Sequence, residues 1–160
     1  MNQQPNSRYC LLCGIDNPIG LNLRFYEEGD DRVVARFTPL PEHQGYPGVL
    51  HGGLTSALLD ETIGRTLVPH DLWAMTVELN VRFRRPIPVG QPLTVIGELV
   101  RLRSRTMEGR GEVRLADGST AATAEAKYIL LSAEQTDAFR EELGWWQVVH
   151  DEPENGAQPQ

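Results

Sequence analysis

The sequence predicts an α+β fold, an antiparallel sheet wrapped around one long central helix. Three observations carry this. One segment, Leu54–Ile63, is apolar around nearly its whole helical circumference, as a helix buried in a core must be. Two runs before it and four after it alternate apolar and polar residues with the period of a half-buried strand. The four later runs are consecutive and joined by short turns, which suits an antiparallel sheet with one covered face.

Taken in order, residues 1 to 9 are polar and read as a loose leader. Leu21, Leu23 and Phe25 then alternate with Asn22, Arg24 and Tyr26, a first strand. Glu28-Gly29-Asp30-Asp31 is a turn, and Val33, Ala35 and Phe37 form a second run. Pro39 to Gly48 is too rich in proline and glycine for a regular element and reads as the loop into the helix. Beyond the helix, Pro69-His70-Asp71 breaks the chain. Val77, Leu79, Val81 and Phe83 then alternate with Glu78, Asn80, Arg82 and Arg84, up to Pro86. Residues 92 to 102 form the next strand, and Met107, Gly109, Gly111, Val113 and Leu115 mark one face of another. Asp117-Gly118 has the composition of a two-residue hairpin turn. The return strand places Ala122, Ala124, Ala126, Tyr128 and Leu130 on one face. Residues 134 to 143 read as a short terminal helix and Asp151 to Gln160 as a solvated acidic tail.

The central helix carries two adjacent carboxylates. At about 100° per residue, Gly53, Ala57, Asp60 and Gly64 share one narrow face, with Leu54 and Leu58 on one flank and Leu59 and Ile63 on the other. Asp60 is the only charge on that small-residue face, and an ionised carboxylate is costly to bury without a partner, water or a task. Glu61 points about 100° away, beside Leu54, so the two cannot address the same atom; Glu61 reads as an arginine's partner or as a residue directed to the interface. At the helix start, Gly52 and Gly53 offer N–H groups with no intrahelical acceptor, backed by the macrodipole. Such donors suit a carbonyl oxygen gaining negative charge. Donor and carboxylate on one element read as an oxyanion site and a base; the plainer reading is a buried helix whose Asp60 is salt-bridged.

His51-Gly52-Gly53, six spacer residues and Asp60 in an apolar helix resemble the hotdog-fold acyl-CoA thioesterases, in particular the phenylacetate-degradation and thioesterase-superfamily-member branch. The resemblance extends to Cys10-Leu11-Leu12-Cys13-Gly14 with Asn17-Pro18-Ile19-Gly20-Leu21, to Gln44-Gly45-Tyr46-Pro47-Gly48-Val49, and to Thr76 through Pro86. It implies an N-terminal extension with the cysteine pair over 1–20, a hotdog thioesterase domain over 21–146 and a polar acidic tail over 147–160. It also implies hydrolysis of an acyl-CoA to free acid and coenzyme A. In that reading Asp60 is general base or nucleophile, the Gly53 N–H holds the thioester oxygen, and His51 orients the thioester from the same loop. Thr76 matches a hydroxyl position that orients water. Gly52 and Gln44 fall to substrate binding, although relatives often carry an asparagine upstream of His-Gly-Gly where this chain has Gly45 beside Gln44. Arg82, Arg84, Arg85, Arg101, Arg103 and Arg105 are candidate partners for the coenzyme A phosphates, Arg84 and Arg85 foremost; the plainer reading is an ordinary solvated sheet face. Sites of this family usually form between two subunits, so a homodimer or a dimer of dimers is expected.

Two other activities are compatible with the resemblance. A non-catalytic acyl-CoA-binding protein would need no base, yet Asp60 is intact. A hotdog dehydratase or hydratase would share the Pro47-Gly48-Val49-Leu50 loop but places its acid soon after it, where here no carboxylate precedes Asp60.

Composition narrows the remaining classes. A chain of 160 residues is expected to form one domain. Its net charge of −7 argues against non-specific nucleic-acid binding. No apolar run reaches membrane-spanning length and no basic-then-apolar leader opens the chain, so a soluble cytoplasmic protein is expected. Carboxylate-driven hydrolysis needs no cofactor. Cys10 and Cys13 are the only cysteines; no second pair completes a four-ligand zinc site, and the pair precedes a turn instead of opening a helix as a redox motif would. They read as packing residues, with no metal expected.

Overall fold

A computed structural model of the chain describes residues 1–150. Strands β1 (Asn2–Gln3), β2 (Phe25–Glu27) and β3 (Arg32–Phe37) precede helix α1 (Gly52–Gly64); β4 (Ala74–Phe83), β5 (Leu93–Leu102), β6 (Thr106–Leu115), β7 (Thr120–Leu130) and helix α2 (Ala133–Leu143) follow. The strands make one antiparallel sheet ordered β1-β2-β3-β5-β6-β7-β4, with α1 packed on one face. Although β4 is the first strand after α1, it lies beyond β7 and forms the outer edge.

Cross-strand register explains which residues meet the helix. Val95 pairs with Val113, Val113 with Ala122, and Ala122 with Phe83, so one row of side chains faces α1 across four strands. From α1, Leu58, Leu59 and Ile63 are fully buried against this face, each contributing roughly 1.5–3 kcal/mol by leaving water. The approach is close because the sheet supplies glycine beneath the helix. A Cβ on Gly97 would fall 2.4 Å from the Thr62 carbonyl oxygen, and one on Gly109 2.4 Å from Ile63 Cγ2. The helix thus presses its bulky residues onto sheet glycines, while its own small-residue face is left for other contacts.

The leader differs from the expectation of a loose segment. β1 pairs with β2, and Gln4, Asn6 and Ser7 are buried. Polar residues are tolerated there because backbone carbonyls take their hydrogens: Asn6 Nδ2 donates to the oxygens of Cys13 at 2.6 Å and Leu23 at 2.8 Å. The first predicted strand is correspondingly shorter. Asn22 adopts a left-handed φ of 51°, and the N–H groups of Leu21 and Leu23 donate to Leu11 and Leu12, both at 2.8 Å. The chain pairs with the cysteine loop before it enters the sheet.

After α1 the chain tightens into a 3-10 turn over Arg65–His70, which ends at Pro69 and a left-handed Asp71. α2 begins with a reciprocal Ser132–Gln135 capping box and stops at Gly144 with φ 64°. The acidic tail expected over Asp151–Gln160 lies outside the described residues. Among the described residues no helix is long and apolar enough to cross a membrane.

Candidate active site

Asp60 emerges from the middle of α1 toward β4 and β7. Its Oδ1 accepts hydrogen bonds from Thr76 Oγ1 at 2.9 Å and from the Tyr128 hydroxyl at 3.0 Å. The same hydroxyl donates to the Asp60 main-chain oxygen at 2.9 Å. Two donors on one oxygen fix the carboxylate's rotation, and Oδ2 makes no hydrogen bond among the described residues. Burial, reinforced by the neighbouring Asp60 charge, pushes the Tyr128 phenol well above its usual range, so it stays a donor. The carboxylate opens on a cavity of about 300 Å³ walled by Val68, Leu72, Trp73 and Ala74 together with Thr76 and Tyr128. Apolar walls with a few convergent polar groups suit an acyl chain.

Glu61 goes elsewhere. Its Oε1 accepts from Arg65 Nε at 2.9 Å, the i,i+4 spacing on one helix. Arg65 is itself buried, lying 4.4 Å over the Phe25 ring and 4.8 Å from that of Trp146, and donates to the Pro5 oxygen at 2.7 Å.

A second set of groups stands at the N-terminus of α1. His51 is the N-cap, and its Nδ1 accepts from the Gly53 N–H at 2.9 Å. That hydrogen bond puts the imidazole proton on Nε2, which faces outward as a donor on an exposed ring. Glycines hold the ring on two sides: a Cβ at Gly53 would come within 3.0 Å of His51 Nδ1, and one at Gly45 within 3.3 Å of Cδ2. The Gly53 N–H expected to hold a thioester oxygen is therefore occupied by the cap. The preceding Gly52 N–H makes no hydrogen bond among the described residues, is exposed, and adjoins the Phe83 ring. Gln44 supports the loop instead of pointing at Asp60; its Oε1 accepts from Gly48 N at 3.1 Å.

The two sets do not meet within one chain. Gly52 and Asp60 are eight positions apart on α1, about 12 Å along the axis at 1.5 Å per residue. A reacting carbonyl has to lie about 3 Å from both its oxyanion donor and its attacking group, closer than these two positions of one helix lie to each other. The arginines are also separate. Phe83 faces α1, so Arg82, and Arg84 just past the strand, alternate to the opposite face, where they line a groove with Glu98 and Arg110. Arg85 is exposed at the end of β4.

Cys10 and Cys13 line the same cavity as Asp60. Hydrogen bonding between the two sulfurs splits their acidities, lowering Cys13 and raising Cys10. Tyr128 is the site residue that sequence reasoning left in the core. Its one signal was a lone phenol in a row of alanines, and a buried hydroxyl has to find a partner.

Residues 47–122 match the thioesterase superfamily. Among curated proteins, the acyl-coenzyme A thioesterase THEM4 of Xenopus laevis is 32% identical over 95 residues, 59% of this chain and 43% of that protein. THEM4 of Bos taurus is 30% identical over 108 residues, 67% of this chain and 44% of that protein. The chain thus spans less than half the length of these relatives. A crystal structure described as a thioesterase superfamily protein superimposes with a TM-score of 0.71 at 30% identity, covering 76% of this chain and 63% of that one. The fold is the hotdog fold.

Proposed function

From the match of residues 47–122 to the thioesterase superfamily, we propose that the chain hydrolyses an acyl-CoA thioester to the free acid and coenzyme A. The observation that carries this is the Asp60 carboxylate, fixed at Oδ1 by Thr76 and Tyr128 and unspent at Oδ2, on the wall of a cavity whose other side is formed by Val68, Leu72 and Trp73. Likeness to the THEM4 thioesterases supports the same reaction.

In this reading Oδ2 acts on the thioester carbon, either by taking a proton from an attacking water or by attacking itself. Thr76 Oγ1 gives its hydrogen to Asp60 and keeps lone pairs for that water. The Gly52 N–H takes the oxyanion role, since Gly53 is committed to His51, and His51 Nε2–H is a second donor at the same place. As the tetrahedral intermediate collapses, the coenzyme A sulfur leaves as a thiolate and takes a proton from solvent; where Asp60 itself attacks, water then hydrolyses the acyl–Asp60 anhydride to the free acid and the carboxylate.

The 12 Å between Gly52 and Asp60 supports a site shared by two copies of the chain, with Asp60, Thr76 and Tyr128 from one and His51 and Gly52 from the other. A homodimer, or a dimer of dimers, supplies this. β4 is suited to be the joining edge, because among the described residues it pairs only with β7, and it exposes Met75, Val77 and Phe83 by more than half. Arg84 and Arg85, just past Phe83, are assigned to the coenzyme A phosphates. The proposed place of work is the cytoplasm.

Purified protein is assayed for thiol release from short, medium, long and aromatic acyl-CoAs. Turnover is expected, and Asp60→Asn should lower kcat by about two orders of magnitude or more with folding and assembly intact. Acyl-CoA binding without turnover by the unaltered protein would instead favour a non-catalytic binding role, and hydration of crotonyl-CoA a hydratase. In a single turnover in ¹⁸O-water, label found in the Asp60 carboxylate shows that Asp60 attacked the thioester, water having opened the anhydride at the Asp60 carbonyl.

A further inference from the structure

The leader and α1 bring three metal-ligating side chains together outside the groups assigned above. Cys10 Sγ, Cys13 Sγ and a Glu61 carboxylate oxygen all lie within 4.8 Å of one another. Two cysteines alone make no metal site; the third ligand comes from a helix about fifty positions further along, which the folded leader reaches.

The cysteine loop is built around its sulfurs. The Leu12 N–H donates to Cys10 Sγ at 3.4 Å, and Ser7 Oγ lies 3.4 Å from Cys13 Sγ. These contacts hold the two sulfurs in place, as the groups around a ligand atom do. The turn closes through the Gly14 N–H to the Cys10 oxygen at 2.8 Å. A Cβ at Gly14 would sit 2.4 Å from that oxygen, so the Cys-Leu-Leu-Cys turn requires glycine after it. Cys13 is 1% exposed, which holds its sulfur in place.

Charge agrees with a divalent cation. Two thiolates and a carboxylate carry three negative charges, and a divalent ion leaves one. Arg65 is the balancing positive group: it is buried, is bonded to Glu61, and its buried Nη2 has no hydrogen bond among the described residues. Soft sulfur with one carboxylate selects zinc over calcium or magnesium.

The geometry points to a zinc site formed by Cys10, Cys13 and Glu61, with the fourth tetrahedral position turned toward the cavity onto which Asp60 opens. Binding displaces the two thiol protons to solvent, and the ion ties the leader to the helix that carries Asp60.

The test uses the full chain, reduced, stripped with a chelator and titrated with Co²⁺ and then Zn²⁺. One Co²⁺ per chain is expected, with a thiolate-to-cobalt charge-transfer band in the near ultraviolet and visible bands of tetrahedral strength, all lost when Zn²⁺ displaces it. Cys10→Ser, at a half-buried position that should fold, and Glu61→Gln should each weaken binding by roughly tenfold or more, at least the effect typical of an outer-shell partner. A folded protein with both thiols free and no charge-transfer band would overturn the site. So would wild-type affinity in Cys10→Ser, or a Cys10–Cys13 disulfide without metal in protein isolated without oxidant. These readouts are independent of hydrolysis, so their failure leaves the thioesterase assignment untouched.

Discussion

Tyr128 holds Asp60 twice, donating to the main-chain oxygen at 2.9 Å and to Oδ1 at 3.0 Å from a residue 68 positions away. The phenol therefore fixes both the helix turn on which Asp60 sits and the rotamer of its carboxylate. Thr76 completes the arrangement from the opposite strand.

Tyr128→Phe keeps the ring and removes both hydrogen bonds. A net hydrogen bond to a charged group is worth about 1.5–3 kcal/mol, so kcat is expected to fall by about tenfold or more, with little change in KM. Thr76→Ala should act in the same direction. Because both donors share Oδ1, the double variant should depart from additivity, as steady-state kinetics on all four forms would show. Additive losses would mean that the two residues do not orient one group.

Gly52→Pro separates the oxyanion donor from the helix that presents it. Proline removes only the N–H in question and is well tolerated at the first helical position. His51, at φ −59° and ψ 131°, already has the extended backbone that a residue before proline prefers. Thermal stability is expected to hold while kcat drops by about a hundredfold or more, the cost of losing one oxyanion donor. Full activity in a folded variant would move the role to another group.

Mixing Gly52→Pro with Asp60→Asn tests the shared site. If the two ends of one carbonyl are served by different copies, a mixed dimer carries one site with both native groups and one with neither. Random pairing of equal amounts should then restore about a quarter of wild-type activity from two inactive parents, as expected for a two-fold symmetric pair. Mixed dimers confirmed by native mass and still inactive would place the whole site within one chain.

Dephospho-CoA thioesters report on Arg84 and Arg85. Contacts remote from the reacting carbon supply mainly uniform binding. KM should therefore rise by several-fold with a smaller change in kcat, and the difference should shrink in Arg84→Ala or Arg85→Ala. Equal kinetics for both substrate forms would remove these arginines from the phosphate site.

The sequence by itself determined what short-range geometry controls. The direction of Asp60 away from Glu61 follows from 100° per residue, and Glu61 indeed meets an arginine one helical turn on, Arg65. The same local rules place Thr76 on a strand, expect a short terminal helix over 134 to 143, and call for one helix against an antiparallel sheet. Tertiary structure decided whatever depends on which distant segments meet. It carried β4 past β7 to an open edge, delivered Tyr128 to Asp60, and turned a polar leader into buried wall because backbone carbonyls accept its side chains. It also set the His51 imidazole on the Gly53 N–H, shifting the free donor to Gly52. Periodicity states which face of an element is buried; only the packed chain settles which atoms on that face are already hydrogen-bonded and which remain for chemistry.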